Sequence, residues 1–464
     1  MKSFAGIFVL VISLHLAEPS FPNFYPKINS KEVTGDVGEP LFLTPFIEQN
    51  RIAEGQRAAE ITLGDFKNVS SYSGYLTVDK MYNSNLFFWY FPAEINFQDA
   101  PVVLWLQGGP GATSLFALFS ENGPFILKSP TEIEIREYRW SRDHSLIFID
   151  NPAGTGFSFT EGGYAQNETK VGEDLYEALT QFFKLFPELQ KNDFFVTGES
   201  YAGKYVPAIS YTILQKNRHA DLKINLQGLA IGNGLSDPEN QLKYAEYLYQ
   251  IGLVDLNTRE VIREMEDQAK EYIRTNQFFK AFEIFDILLN GDLTNETTIF
   301  KNATGFDNYF NYLHAESTDS YLEEFLQRVD VRRALHVGNQ TFHSGEDVEK
   351  HLVEDVMKSV APWISELLEN YRVLIYNGQL DIIVAYPLTL NYLQKLDFSG
   401  AKEYKTAIRN KWYSAGDLAG YVKQAGNLTE VLVRNAGHTA PSDQPEWMLD
   451  LISSFIRNIP LSRK

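Results

Sequence analysis

At 464 residues the chain can bury a sizeable core without covalent staples, and its lack of cysteine excludes disulfide-dense scaffolds and thiolate metal centres. With 60 acidic against 41 basic residues the formal charge is −19, which disfavours nucleic acid and anionic membrane surfaces as partners, since both are polyanions. The eight histidines are scattered, so no metal constellation and no cofactor is expected.

Residues 1–17 place Lys2 ahead of an apolar stretch, Phe4 to Leu16, and end at Ala17; this reads as a cleavable leader too short to span a bilayer stably. No later segment has the length of uninterrupted apolar residues that a membrane anchor requires. Residues 18 to about 60 are a proline- and glycine-rich segment preceding the core. An antiparallel hairpin is expected at 74–91, with Gly74-Tyr-Leu-Thr-Val and Leu86-Phe-Phe-Trp-Tyr-Phe flanking Asn83-Ser-Asn. Apolar runs at 101–106, 145–149, 194–196 and 226–231 predict buried strands of a largely parallel sheet. Val171, Leu175, Leu179, Phe182, Phe183 and Phe186 recur at helical spacing until Pro187, as in a crossover helix.

Two loops in this half carry chemistry. After the strand at 101–106 comes Gln107-Gly-Gly-Pro-Gly111, whose glycines let backbone N–H groups approach a ligand closely. A phosphate-binding loop would need Lys followed by Ser or Thr, and Ala112-Thr-Ser114 stands there instead, which favours an oxyanion-binding role. After the strand at 194–196 comes Gly198-Glu-Ser-Tyr-Ala202, a serine between small residues at a strand-to-helix turn, which makes Ser200 the candidate nucleophile. The generic elbow has glycine where this chain has Ala202.

From 236 to 360 the texture becomes polar and helical, with aromatic stripes such as Phe278-Phe-Lys-Ala-Phe-Glu-Ile-Phe285 that read as packed core. Two further strand-like runs follow. One, 372–378, ends near Asp381, and the other, 431–437, ends at His438. Nucleophile, acid and histidine in that order, each on a loop after an apolar strand, is the order of an α/β-hydrolase. The expected organisation is therefore a leader (1–17), a first core part (18–235), a mainly helical insertion or lid (236–360) and a second core part (361–464). The fold class is α/β, with a mostly parallel mixed sheet flanked by helices.

The segments Trp105-Leu-Gln-Gly-Gly-Pro-Gly111, Asp150-Asn-Pro-Ala-Gly-Thr-Gly-Phe-Ser158, Gly198-Glu-Ser-Tyr-Ala-Gly203, Lys204-Tyr-Val-Pro207, Ile231-Gly-Asn-Gly234, Asn377-Gly-Gln-Leu-Asp381 and Ala436-Gly-His438 together resemble the serine carboxypeptidases of the α/β-hydrolase fold. Gln107, Lys204 and the phrases Tyr249-Gln-Ile-Gly252, His336-Val-Gly-Asn-Gln-Thr341 and Tyr376-Asn-Gly-Gln-Leu-Asp-Ile-Ile-Val384 look like the vitellogenic carboxypeptidase-like branch of animals. The resemblance implies that Ser200 attacks, His438 shuttles the proton and Asp381 orients the imidazole, while the N–H groups of Gly109 and Tyr201 hold the oxyanion. It further implies that Gln107, Gly108, Glu199 and Glu121 bind the free carboxylate at a peptide or protein C-terminus. Two carboxyl groups placed together cannot both ionise cheaply, so one keeps its proton and donates to that carboxylate, which favours work in acid.

Members of the family usually contain disulfides, often with a cysteine just after the glycine-rich loop; here that position is Ala112. Gln107 replaces the asparagine of many members and lengthens the arm by one methylene. Asn68, Asn167, Asn295, Asn302, Asn339 and Asn427 head Asn-X-Ser/Thr triplets, which fits passage through a secretory pathway to a secreted, lysosomal or endosomal destination. An acyltransferase on the same scaffold and a non-catalytic binding or chaperone-like relative are the alternative functions. A homodimer is left open.

Overall fold

The computed structural model describes residues 25, 33–67, 69–291, 297–314 and 321–461. The leader expected at 1–17 lies outside them.

Ten strands form one sheet. In chain order they are β1 (Tyr72–Asp79), β2 (Ser84–Phe91), β3 (Val102–Leu106), β4 (Ser145–Ile149), β5 (Phe194–Glu199), β6 (Leu226–Gly232), β7 (Arg372–Gly378), β8 (Asn410–Ser414), β9 (Asp417–Ala425) and β10 (Leu428–Val433). Their spatial order is β1-β2-β4-β3-β5-β6-β7-β10-β9-β8. The six strands from β4 to β10 are mutually parallel, and an antiparallel pair closes each side.

The hairpin expected at 74–91 is β1 and β2, with Tyr75 opposite Phe87 and Asn83 turning at a φ of 45°. Every residue of β2 is buried, because helices cover both faces of an inner strand. The crossover helix runs from Glu168 to Leu185; the Asn167 side chain caps it by accepting from Lys170 N, and Pro187 opens the turn that ends it. Two features were not foreseen. The stretch 18–60 contains helices Thr44–Glu48 and Ile52–Ala59, and strands β8 and β9 form a hairpin whose outer strand is half solvated, so no apolar run announces it.

What matters for the site is the common polarity of the parallel strands. At their C-terminal ends β3 leads to Gln107, β4 to Asp150, β5 to Ser200, β6 to Asn233, β7 to Asp381 and β10 to His438. Segments far apart in sequence thus meet along one edge of the sheet, where open α/β sheets bind ligands. Between β6 and β7 most regular elements are helices, among them Tyr244–Gln250, Leu256–Arg274, Phe278–Phe285 and Glu346–Val356.

Candidate active site

Ser200 has a φ of 64°, a left-handed conformation that a sharp turn between β5 and the helix Ala202–Lys216 enforces. The turn is pinned at both ends: Ser200 N donates to Gly232 O, and Ser200 O accepts from Gly203 N and Leu235 N. A Cβ at Gly198 would stand 2.8 Å from the Ala202 methyl and 2.5 Å from Leu106 O. The methyl that this chain carries in place of the generic glycine is therefore accommodated because position 198 has no side chain.

His438 is fully buried and held on three sides. Its Nδ1 lies 2.9 Å from Asp381 Oδ2, its backbone N–H donates to Phe310 O, and its ring stacks on Phe310 at 4.3 Å between centroids and 5° between planes. With Nδ1–H facing the carboxylate, Nε2 carries the lone pair, and it has no hydrogen-bond partner among the described residues. That is the tautomer a general base needs. Glycine is required on both loops: a Cβ at Gly378 would fall 1.8 Å from Gly437 O, and one at Gly437 would fall 2.3 Å from Phe310 O.

Asp381 is equally buried, and a residue without an assigned role secures it. Asn233 Nδ2 donates to Asp381 Oδ2 at 2.6 Å while Asn233 Oδ1 accepts from Gly378 N. The motif Ile231-Gly-Asn-Gly234 was visible in the sequence as a family segment; nothing in its spacing disclosed this second carboxylate contact. Tyr247, from the helical segment, donates its hydroxyl to Asp381 O.

The glycine-rich loop is fastened from below. Asp150 accepts from Thr113 Oγ1 and Ser114 N, and from Phe157 N on its own loop; burial pushes its carboxyl up to about 6. Gly108 packs onto the elbow so closely that a Cβ there would stand 2.4 Å from Tyr201 N. Gly109, Ser200 and Tyr201 line one pocket. The expected oxyanion donors are thus brought beside the expected nucleophile.

Gln107 is locked in one orientation: its Oε1 accepts from Trp105 Nε1 at 2.9 Å, so its Nε2 points to Glu199 Oε1 at 3.0 Å. The extra methylene relative to asparagine is absorbed by this bridge between a tryptophan and a glutamate. Glu121 and Glu199 are both buried, and they interact. Burial is the main reason that the Glu121 carboxyl is pushed up to about 8; Glu199 is raised by burial and then by the neighbouring Glu121. Glu121 hydrogen-bonds the side chains of Glu199 and Gln107, and a bond between two carboxyls requires that one of them keep its proton.

Comparison with known proteins agrees with this geometry. Residues 63–458 match the serine carboxypeptidase family profile. The chain belongs to the serine carboxypeptidase family. It is 58% identical to the venom serine carboxypeptidase of Apis mellifera over 446 residues, covering 94% of this chain and 96% of that one. It is 49% identical to the probable serine carboxypeptidase CPVL of Homo sapiens, covering 96% of each, and 49% identical to the vitellogenic carboxypeptidase of Aedes aegypti, covering 91% and 90%. These relatives bear out the animal branch expected from Gln107 and its companion phrases. A prohormone-processing carboxypeptidase from Saccharomyces cerevisiae superposes with a TM-score of 0.74 over 87% of this chain and 96% of that one, at 24% identity, which shows the α/β-hydrolase fold.

Among the sequons of this serine carboxypeptidase, Asn167, Asn302, Asn339 and Asn427 are exposed, while Asn68 and Asn295 lie outside the described residues. Asn167 caps its helix through Oδ1, which leaves Nδ2 for modification. Three pocket residues went unrecognised in the sequence. Tyr25, in the segment read only as preceding the core, is buried in the active-site pocket with its hydroxyl 3.3 Å from Gln107 Nε2. Phe282 and Phe285, from the stripe expected to be packed core, are buried but also line that pocket.

Proposed function

We propose that this serine carboxypeptidase releases the last residue of peptides through an acyl-enzyme on Ser200. His438 Nε2 takes the hydroxyl proton as Ser200 Oγ bonds to the scissile carbonyl carbon, and the N–H groups of Gly109 and Tyr201 stabilise the oxyanion. The proton then passes from His438 to the leaving amine as the C–N bond breaks. Water attacks the ester in the second half, with His438 again as base, and frees Ser200. Asp381, fixed by Asn233, keeps the imidazole in the productive tautomer throughout.

The observation that carries this reading is the buried trio of Gln107, Glu199 and Glu121 beside the nucleophile, in which the two carboxyls face each other. A carboxyl pair that retains a proton can donate to a substrate carboxylate instead of repelling it, and raised values for both groups support retention of that proton through neutral pH. Activity toward free-acid peptides is accordingly greatest in acid and falls as pH rises and the pair loses the proton that burial holds on it well above the ordinary carboxylate range.

The leader at 1–17 and the sequons support export and N-glycosylation, to a secreted, lysosomal or endosomal site; none of the described helices is long and apolar enough to cross a membrane. The insertion contributes Tyr244, Phe282 and Phe285 to the pocket, which supports its role as a lid. Comparing a blocked dipeptide with its C-terminal amide at pH 5 tests the exopeptidase reading. The acid should exceed the amide in kcat/KM by roughly thirty-fold to a thousand-fold, because losing a charged hydrogen-bond set in a desolvated site costs about 2–4 kcal/mol. Equal cleavage would point to a general esterase or acyltransferase.

A further inference from the structure

We infer that Tyr25 is an internal occupant of the substrate site, which a peptide must displace to reach Ser200. This rests on the reading of Ser200 as nucleophile and of Gln107 as part of the carboxylate-binding set given above. Tyr25 comes from the segment preceding the core, yet it is 5% exposed and lines the same pocket as Gly109, Ser200 and Tyr201. Its ring meets Phe116 edge-on at 5.3 Å between centroids and lies 5.8 Å from the ring of Phe310, the residue on which His438 stacks.

The hydroxyl decides between a wall of the pocket and an occupant. It accepts from Gln107 Nε2 at 3.3 Å and shares a hydrogen bond with the Ser200 side chain, in the field of the Glu199 and Glu121 carboxyls. A residue that only shaped the pocket would present its ring and leave these groups to the substrate. Tyr25 instead engages the carboxylate arm and the nucleophile at once, the two points between which a peptide's last residue must lie. His438 Nε2 meanwhile has no hydrogen-bond partner among the described residues, so the Ser200 hydroxyl is engaged by Tyr25 and not by its general base. Attack requires the Ser200–His438 bond, and departure of Tyr25 frees the hydroxyl to make it.

The chain that carries Tyr25 is rooted nearby. Asp36 pairs with Arg333 at 2.8 Å, Leu41 N donates to His336 O, and Leu41 O accepts from Tyr75 N of β1. A covalent link of this kind holds a ligand at an effective concentration on the order of millimolar, at or above the concentration at which free peptides usually half-saturate an enzyme. Burial of an aromatic ring favours the occupied form and ordering of the segment opposes it, so the two forms stay within reach of each other. With on the order of a tenth of the molecules open, the apparent KM is raised about tenfold while kcat, read at saturation, is unchanged.

The test assays the full chain, Tyr25→Ala and Tyr25→Phe with a blocked dipeptide at pH 5, and follows the rate of organophosphonate labelling at Ser200. Tyr25→Ala should lower KM by about tenfold, change kcat by less than about twofold and label about tenfold faster. Tyr25→Phe keeps the ring against Phe116 and Phe310 but loses both hydroxyl contacts, so it should fall between Tyr25→Ala and the wild type. A KM that rises in Tyr25→Phe, or labelling no faster than the wild type in either variant, overturns the assignment and makes Tyr25 a wall of the subsite. Calorimetric binding of the dipeptide to Ser200→Ala, with and without Tyr25→Ala, separates this inference from the proposed reaction. If binding tightens when Tyr25→Ala is added yet none of the proteins with an intact Ser200 hydrolyses the dipeptide, the occupancy stands and the proposed reaction fails. Equal binding overturns the occupancy.

Discussion

Glu199→Gln separates the carboxyl-pair mechanism from a site that merely tolerates a terminal carboxylate. In the wild type Gln107 Nε2 donates to Glu199 Oε1 at 3.0 Å, an arrangement that the amide oxygen of a glutamine can keep. The new NH2 takes the place of Oε2 on the side chain that faces Glu121, and it donates without needing a bound proton. At pH 5, where the pair of the wild type is protonated, kcat/KM for a free-acid dipeptide should therefore change by no more than about fivefold, the worth of about 1 kcal/mol. On the alkaline side the coupled pair of the wild type loses the proton that burial and the closeness of the two carboxyls hold on it, and an ionised pair meets the substrate carboxylate. Two like charges about 4 Å apart at an effective dielectric near 20 repel by about 4 kcal/mol, a penalty of up to about a thousandfold. The assay is kcat/KM from pH 4.5 to 9.5 for acid and amide substrates with both proteins. The wild type should lose activity steeply on the alkaline side for the acid substrate and much less for the amide, and Glu199→Gln should flatten the acid profile. Superimposable profiles for the two proteins would refute the reasoning.

Asn233→Leu removes the 2.6 Å donor to Asp381 Oδ2 while filling similar volume, and should lower kcat by roughly ten- to a hundredfold with a smaller change in KM; a selective rise in KM would contradict a positioning role. Folding stability should fall as pH rises from about 6.5 to 8. Glu168 and Glu121 are raised to about 8 and Glu266 to about 7, mainly by burial, so the folded chain holds more protons than the unfolded one across that window. Below about 6.5 buried His144, lowered to about 4 by burial, works in the opposite sense, because it binds a proton only on unfolding. A thermal melt at pH 8 should thus lie below that at pH 6.5, and Glu168→Gln should shrink the gap; a melt that rises over this range would contradict the burial argument. Protein made in a eukaryotic host should start beyond the leader and lose mass on glycosidase treatment; an intact Met1 terminus with no mass loss would contradict export.

The parts of the site legible in sequence were those where backbone geometry dictates residue type. Gly198, Gly108, Gly378 and Gly437 each stand where a Cβ would collide with a facing loop, so the fold writes them into local motifs beside Ser200, Gln107, Asp381 and His438. The buried parallel strands were legible for a similar reason, because both faces demand apolar residues. Contacts made by a single side chain across the fold left no such mark. Asn233 reaches Asp381 from another strand, and Tyr25 arrives from a proline- and glycine-rich segment read only as preceding the core. Strands β8 and β9 were obscure because their hairpin is partly solvated and lacks a continuous apolar run.

The central claim is that Ser200 is the nucleophile, activated by His438 and Asp381. Treatment with an organophosphonate followed by peptide mass spectrometry tests it most directly. The account predicts one adduct, on the peptide carrying Ser200, absent from Ser200→Ala and formed far more slowly in Asp381→Asn. Labelling at a different serine, with Ser200→Ala still hydrolysing blocked dipeptides, would contradict it.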